Sequence, residues 1–236
     1  GKTVLVKVLG HTFANTEVVL KTGERYKVGE YFLGKHSFPQ IYSTALGKQF
    51  KTKTLFANML ARDITEFPSV SLTVYRELLQ ESGFSSEPWI AEVELMLKKR
   101  GIWKNFLHFV EESEALPWKD VRDMATRARS IFARALCALD NESYPNISLA
   151  ERSLDDVKNS FRLTPSLVVE RLLEKAEELD PVGGRIVIVL DEVGIYVGTD
   201  TDRLGDLNIL AEEISRKGKG KIWLIVTSQE ILEDYV

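Results

Sequence analysis

The sequence predicts an α/β fold, a three-layer arrangement around a parallel sheet that is interrupted by a mostly helical insertion. The first observation is a continuous apolar run after Arg185, Ile186–Leu190, and the second is a similar run within Lys221–Thr227. Such runs are typical of strands that are covered on both faces. The third observation is the helical pattern at about 203–217 between them, which two glycines end. A strand, a helix and a strand in this order indicate parallel neighbours.

Three segments of the chain differ in pattern. They are interpreted as the N-terminal part of the core (1–54), a helical insertion (55–164) and the C-terminal part of the core (165–236). In the first segment we expect a short helix over residues 4–13 and two strands within 17–33. A turn-like centre over residues 21–24 separates these strands.

Two long helices are predicted in the insertion. Ser86 is the expected N-cap of the first helix, which has Pro88 in its first turn and ends at Gly101. The second helix covers Val121–Leu139, and Met124 is expected on its buried face.

The C-terminal segment begins with a further helix. Thr164 is its expected N-cap, Pro165 its first residue and Leu179 its end. A sharp turn over Asp180–Gly184 then leads into the first apolar strand.

The composition is that of an ordinary globular protein, since 44% of the 236 residues are hydrophobic and 28% are charged. A net charge of −4 provides no overall attraction to DNA or to a membrane. Cys137 is the only cysteine, which excludes an internal disulfide and fits a reducing cytoplasm. No apolar run is long enough to span a bilayer. Because no initiator methionine is present, we expect Gly1 to follow a domain boundary rather than to be a native N-terminus.

The first motif with chemical meaning is Gly1-Lys2-Thr3, which a helix follows. In a phosphate-binding loop, backbone N–H groups and the helix N-terminus hold phosphate oxygens. Lys2 is expected to reach the β- and γ-phosphates, and the Thr3 hydroxyl is expected to bind Mg²⁺. The glycine and the four spacer residues that open the full motif do not stand in this sequence, so the tripeptide alone also fits chance.

The second motif is Asp191-Glu192, directly after the apolar run. A carboxylate at the tip of a buried strand is costly unless a positive partner meets it there. Mg²⁺ with bound phosphate is such a partner, so Asp191 is expected to hold the metal. Glu192 is expected to act as the general base that orients the attacking water. An acidic turn after a strand is common, but together with the first motif this pair favours nucleotide hydrolysis.

The third motif is Thr227-Ser228-Gln229, at the end of the next strand. Small polar side chains at the carboxyl end of a strand point into the crevice where α/β sheets bind ligands. Thr227 and Ser228 are therefore expected to sense the γ-phosphate or to position water, as catalytic residues beside Glu192. The alternative is that these residues only form the turn that ends the strand.

Other polar and aromatic residues favour structural roles. The histidines lack the spacing of metal ligands; they are His11, His36 and His108. The four tryptophans and Cys137 are expected to pack in the core. Arg216 begins a basic turn that is interpreted as solvent-exposed. Contact of this turn with nucleic acid, or with the nucleotide of a neighbouring subunit, is the alternative.

Taken together, the three motifs resemble the AAA+/STAND side of the P-loop ATPases. This resemblance implies ATP and Mg²⁺ as ligands, Thr3 and Asp191 as metal ligands, and an extra strand between the Walker A and Walker B strands. The nucleotide-binding residues that it implies are Gly1, Lys2, Thr3 and Asp191. The two Walker motifs are much further apart than is usual for the group, which is why residues 55–164 are interpreted as an insertion. ATP rather than GTP is implied by the resemblance alone.

Three further stretches are similar to the large P-loop protein of bacterial BREX phage-defence systems, the BrxC/PglY family. They are Pro88–Glu94, Val189–Gly194 and Trp223–Glu230. This similarity implies a cytoplasmic ATPase several times longer than this chain, which works with other proteins of a complex that restricts phage DNA. A homo-oligomer and contact with DNA are compatible with it, and no membrane partner is implied.

Two other functions are compatible with the sequence. One is a non-catalytic P-loop scaffold whose helical insertion binds a partner protein. The other is a phosphotransferase, although Asp191-Glu192 favours activation of water over transfer to an acceptor.

Overall fold

The computed structural model describes residues 2–35, 50–59 and 69–228, and for residues 2, 3 and 32–35 it describes the backbone alone. The strands are β1 (Glu17–Val19), β2 (Arg25–Lys27), β3 (Thr52–Asn58), β4 (Arg185–Asp191) and β5 (Ile222–Val226). The first helices are α1 (Lys2–Phe13), α2 (Val28–Lys35), α3 (Val70–Glu81), α4 (Pro88–Lys99), α5 (Trp103–Glu114) and α6 (Trp118–Val121). They are followed by α7 (Ala125–Leu139), α8 (Ile147–Ser160), α9 (Pro165–Leu179), α10 (Val193–Val197) and α11 (Thr201–Lys217).

The chain divides into two compact units. One contains residues 1–78 and 163–236, and the other contains residues 79–162. The prediction that the helical stretch begins at residue 55 was wrong, because Leu55–Asn58 belong to strand β3. This strand reads TKTLFAN, and its short apolar part fits a helix as well as a strand until its pairing partner is known.

The larger unit is built on a parallel sheet of β3, β4 and β5, which confirms the predicted parallel sheet and α/β class. Strand β4 lies in the centre. Its register with β3 runs from Thr52 opposite Arg185 to Asn58 opposite Asp191, and its register with β5 places Leu190 opposite Val226. The three carboxyl ends therefore meet at one edge of the sheet.

A small antiparallel hairpin precedes this sheet. Strands β1 and β2 pair with Glu17 opposite Lys27, which confirms two strands around the turn at residues 21–24. The second predicted strand was drawn too long, because Val28–Lys35 form helix α2 instead.

Helix α1 covers one face of the sheet and runs antiparallel to the strands. The Thr54 hydroxyl donates a hydrogen bond to the Gly10 carbonyl at 2.8 Å. A Cβ on Gly10 would lie only 2.6 Å from the Phe56 ring, so a glycine allows the close approach of helix and strand. Val6 then packs with Val189 in a small apolar cluster.

The opposite face is covered as well. Ile186, Ile188 and Leu190 point away from α1, yet each has 0% of its surface exposed. Helix α9 contacts β3 and β4, and helix α11 contacts β5. Helices thus lie on both faces of β4, as the three-layer prediction requires.

Strand β5 is less covered than its sequence predicted. On the face of β5 that carries Trp223, Ile225 packs against the small apolar cluster that contains Val6 and is half-buried. Trp223 lies nearer the start of the strand. Trp223 is 60% exposed, so the prediction that this tryptophan packs in the core was wrong for the described residues. In the part of the chain that the structure describes, β5 pairs with β4 alone.

Helix α9 begins as predicted. The Thr164 hydroxyl accepts a hydrogen bond from the Leu167 N–H at 3.2 Å, and Pro165 is the first helical residue. A side-chain cap and a proline in the first turn are local signals, which is why the sequence locates this end correctly.

The helical unit, residues 79–162, has its own apolar core. The members are mostly buried side chains of helices α4 to α8, and among them Phe106 packs on Trp118 and Phe132. The predicted helix over Val121–Leu139 is broken, since α6 ends at Val121 and α7 begins at Ala125. Met124 precedes α7 with an extended backbone and is 58% exposed, so its predicted burial was wrong.

A buried carboxyl group lies in this core. Glu94 on α4 is fully buried, and its carboxylate accepts hydrogen bonds from the Ser85 N–H at 2.7 Å and the Trp118 indole N–H at 2.5 Å. The predicted N-cap, Ser86, is replaced in that position by Glu87, whose N–H donates to the Ser85 hydroxyl. The turn before α4 is therefore held by a residue inside the helix rather than by a capping side chain.

Candidate functional site

The candidate site lies at the carboxyl edge of the parallel sheet. Asp191 is the last residue of β4 and faces Asn58, the last residue of β3, in the strand register. Alternation along β4 places Asp191 on the same face as Val187 and Val189, which is the face that α1 covers. Thr227 follows β5 at the same edge.

Asp191 is held in place by its neighbours. The Thr227 hydroxyl donates a hydrogen bond to Oδ1 of Asp191. The Glu192 N–H donates to the same oxygen at 3.1 Å. Among hydrogen bonds between described residues, both of those on this carboxylate end at Oδ1, so Oδ2 is the oxygen that can accept a ligand. Only 7% of Asp191 is exposed, which makes it one of the few buried carboxylates in the described chain.

Glu192 occupies a strained turn directly after β4. Its φ of 63° lies in the left-handed region, a conformation that costs a residue other than glycine about 1–3 kcal/mol. Backbone hydrogen bonds hold this turn against the end of β5, from the Val193 N–H to the Thr227 carbonyl and from the Thr227 N–H to the Leu190 carbonyl. The predicted general base and the predicted sensor residue are thus parts of one local structure.

The first half of helix α1 lies at the same edge. Val6 and Lys7 line a cavity of about 100 Å³ together with Phe56, Ala57, Asn58, Val189 and Asp191. Phe13, near the other end of α1, lines a separate apolar cavity with Thr52 at the amino edge of the sheet. The N-terminus of α1 therefore points toward the edge that carries Asp191. With a rise of about 1.5 Å per residue, Lys2 lies about 6 Å beyond Val6 along the helix axis.

The structure brings the backbone of the first motif toward the acidic motif. Lys2 and Thr3 form the first turn of α1, but their side chains lie outside the described part of the chain, as do Gly1 and Gln229. Ser228 follows Thr227 and is half-buried. The cavity beside Asp191 is lined neither by Glu192 nor by Thr227.

Two polar residues of this cavity were missed in the sequence. Asn58 and Lys7 line it with Asp191. Asn58 was hidden because β3 was not recognised as a strand, so its position at a strand end could not be inferred. Helical spacing alone could have indicated Lys7, since it lies one turn after Thr3.

The remaining candidates have local partners. Nδ1 of His11 lies 3.3 Å from the Thr16 hydroxyl oxygen, and Nε2 of His108 lies 3.1 Å from Oε1 of Glu112. Arg216 pairs with Glu213 within helix α11. This pair is at the end of α11 that leads into the start of β5, at the edge opposite Asp191. No group of three histidine, cysteine or acidic side chains within residues 2–35, 50–59 and 69–228 is arranged to hold a metal ion.

No protein-family model matches this chain, and no solved structure matches it. Within the described residues, none of the helices combines the length and the apolar character that crossing a membrane would need.

Proposed function

We propose that this chain is the nucleotide-hydrolysing core of a P-loop ATPase of the AAA+/STAND type. The observation that supports it most strongly is that Val6 and Lys7, in the first half of α1, line one cavity with Asp191. The Thr227 hydroxyl bonds to Asp191 at the same edge of the sheet. A helix N-terminus attracts phosphate because its first N–H groups are unpaired and its dipole is positive there. A buried carboxylate beside it supplies the opposite charge that a cation requires.

The residues present fit a magnesium ion. Mg²⁺ prefers hard oxygen ligands and is usually bound by one or two carboxylates, while phosphates and water complete its octahedron. Oδ2 of Asp191 and the Thr3 hydroxyl are oxygens of this kind. When bound, the ion neutralises charge that develops on the transferred phosphoryl group.

Each residue of the chain then has a defined task. Lys2 and the first N–H groups of α1 bind the β- and γ-phosphates, and Asp191 is kept in position by Thr227. Glu192 accepts a proton from the attacking water as that water attacks the γ-phosphorus, and ADP leaves. Thr227 and Ser228 follow the end of β5, and release of the γ-phosphate changes the position of this strand end.

A complete P-loop also needs a glycine-containing loop before its Gly-Lys-Thr, and a strand before that loop. Among the described residues β5 pairs with β4 alone, so the other edge of β5 is a suitable place for that strand to pair. Such a strand would put β5 between the Walker A and Walker B strands, which is the order that the resemblance implies.

The test is ATP turnover by the longest native protein that contains this chain. Glu192→Gln should keep ATP binding and lower phosphate release about 10²- to 10⁴-fold, the usual contribution of a general base. Lys2→Ala should lose ATP binding. Glu212→Gln, an exposed change on α11, is the matched control. Unchanged turnover in Glu192→Gln would refute the role of that residue, and the absence of Mg²⁺-dependent ATP binding would refute the proposed function.

The narrower proposal is a role in a BREX-like phage-defence complex of the cytoplasm. It is supported by three short sequence similarities, of which two include the site residues Asp191-Glu192 and Thr227-Ser228. It predicts that Glu192→Gln in the host protein abolishes protection against phage while the partner proteins still associate. Full protection by that variant would contradict it.

A non-catalytic scaffold is the second candidate. It is favoured by the separate compact unit of residues 79–162, which has an apolar core of its own. A scaffold would keep its function in Lys2→Ala, whereas an ATPase would lose it.

A further inference from the structure

We infer that the apolar cavity at the amino edge of the parallel sheet is a binding site for a small aromatic carboxylate. The floor of this cavity is the face of the sheet that α1 covers. Arg185 lies opposite Thr52 in the register of β4 and β3, and Val187 lies opposite Trp223 in the register of β4 and β5. All four residues line the cavity, as does Phe13, the last residue of α1. The cavity therefore lies where α1 ends and the face of the sheet continues.

The size of the cavity indicates the size of the ligand. Its volume is about 380 Å³, and sites for small molecules commonly begin at about 300 Å³. An apolar cavity of about 150 Å³ holds one benzene molecule, so the volume here fits a body of two fused rings. A stable contact with a partner protein buries about 800 Å² on each side, which a single cavity of this size does not supply. The size thus favours a small molecule as the occupant.

The walls of the cavity are aromatic, and the Trp223 ring is held in place. Its indole N–H donates a hydrogen bond to the Gly220 carbonyl at 3.1 Å, although 60% of Trp223 is exposed. On the other side, the Arg185 guanidinium lies 4.4 Å from the centre of the Phe50 ring. Rings that are already held in place lose little conformational entropy when a flat ligand stacks on them. The walls therefore fit a planar aromatic body.

Arg185 supplies the charge that selects a carboxylate. Among hydrogen bonds between described residues, its guanidinium donates only through Nη1, to the Val182 carbonyl at 3.3 Å and the Gly184 carbonyl at 2.8 Å. Asp180 is near enough to interact electrostatically with Arg185, but its side chain accepts hydrogen bonds from N–H groups of its own turn. Nε and Nη2 of Arg185 therefore remain as donors for a ligand. A guanidinium binds a carboxylate through two parallel hydrogen bonds, which a neutral ligand cannot match.

The cavity is separate from the carboxyl edge of the sheet. Arg185 begins β4 and Asp191 ends it, which places them about 20 Å apart at about 3.3 Å per residue. The aromatic ligand is therefore expected to bind without competing with a nucleotide at Asp191. The inference does not rest on the proposed ATPase function.

The experiment compares naphthoate with its uncharged analogue naphthamide, by ligand-observed NMR titration of the longest native protein that contains this chain. We expect a Kd below about 1 mM for naphthoate. Naphthamide should bind about 10-fold more weakly, because it lacks the hydrogen bonds between charged groups. Arg185→Gln should weaken naphthoate about 10-fold and leave naphthamide unchanged, so that the two ligands bind alike. The matched control is Arg152→Gln, an exposed change in the helical unit, which should keep the preference for naphthoate.

A second variant tests the aromatic wall. Trp223→Ala should weaken both ligands about 3- to 10-fold, because it removes a stacking surface and leaves Arg185 in place. Trp223 is largely exposed, so the fold does not depend on its side chain. Equal binding of both ligands to Trp223→Ala and to the unsubstituted protein would overturn the assigned site.

The ratio of the two affinities is a readout that a merely structural role of Arg185 would not change, since a distorted cavity weakens both ligands alike. A preference for naphthoate that persists in Arg185→Gln therefore overturns the inference. No saturation by naphthoate up to about 5 mM, or its displacement by ATP, also overturns it. These outcomes leave the proposed function untouched, and a lack of ATP binding would leave this inference standing.

Discussion

Replacing Glu94 by alanine should destabilise the helical unit, residues 79–162, more than other changes of a glutamate there. Glu94 is fully buried on α4, and its two carboxylate oxygens accept hydrogen bonds from different elements. Oε2 accepts from the Ser85 N–H in the turn before α4, at 2.7 Å. Oε1 accepts from the Trp118 indole N–H at the start of α6, at 2.5 Å. The side chain thus joins α4, this turn and α6.

The magnitude follows from the two donors that the alanine variant would leave buried. Each unsatisfied donor costs about 1–3 kcal/mol, and truncation also leaves space in a packed core. Part of this cost is offset, because the variant no longer buries a carboxylate. We therefore expect a net loss of about 2–4 kcal/mol in the free energy of unfolding of this unit.

Urea denaturation followed by tryptophan fluorescence measures this loss. Three of the four tryptophans, Trp89, Trp103 and Trp118, lie in the helical unit and report its unfolding. The matched control is Glu111→Ala on α5, where the side chain is exposed and a change within about 0.5 kcal/mol is expected. A loss below about 0.5 kcal/mol in Glu94→Ala would refute the assigned role of the two hydrogen bonds.

Three further predictions concern other parts of the molecule. Burial raises the pKa of Glu94 above its ordinary value of 4.5, so the folded state binds the proton of this carboxyl more tightly than the unfolded state does. Protonation of Glu94 therefore adds to the free energy of unfolding. This contribution is complete below about pH 4.5 and is lost as the pH rises through the folded pKa. Glu94→Gln does not titrate, so its deficit relative to the unsubstituted protein should be largest in acid and shrink toward neutral pH; a deficit that grows with pH would contradict this. Gly10→Ala should lower the melting temperature, because the new Cβ would lie 2.6 Å from the Phe56 ring. Overpacking costs about 1–3 kcal/mol, which exceeds the gain of about 1 kcal/mol from the higher helix propensity of alanine. An unchanged or higher melting temperature would count against this contact. Asp206→Ala should lower the free energy of unfolding by about 0.5–2 kcal/mol and speed hydrogen exchange at the start of α3. The reason is that the Asp206 carboxylate accepts a hydrogen bond from the Val70 N–H and so caps this helix. Equal exchange rates there would show that this cap is dispensable.

The parts of the fold that local sequence could predict are those with a local physical cause. Strand β4 was recognised because all its interior residues are apolar, and helix α9 because Thr164 and Pro165 mark its start. Strand β3 was missed, since its burial depends on pairing with β4, which the sequence does not show locally. The break before α7 was missed for a similar reason, because Met124 fits a helical stripe but is left exposed by the packing around it.

The candidate site divides in the same way. Asp191-Glu192 and Thr227-Ser228 could be chosen from their positions after apolar runs. The hydrogen bond from Thr227 to Asp191, 36 residues apart, depends on the parallel register of β4 and β5. The place of Asn58 depends on a strand that was not recognised, so no local signal could have assigned it to the site.

The sequence alone determined that this chain has a buried parallel sheet with acidic and hydroxyl side chains at its strand ends, because the apolar runs and the residues after them are local features. The tertiary structure alone decided which ends meet. Strand register brought Asn58 beside Asp191, and the packing of α1 against β3, which Gly10 allows, brought Val6 and Lys7 to the same edge. The physical reason is that pairing and close packing join residues far apart in the chain, and their energies depend on partners that no local pattern contains.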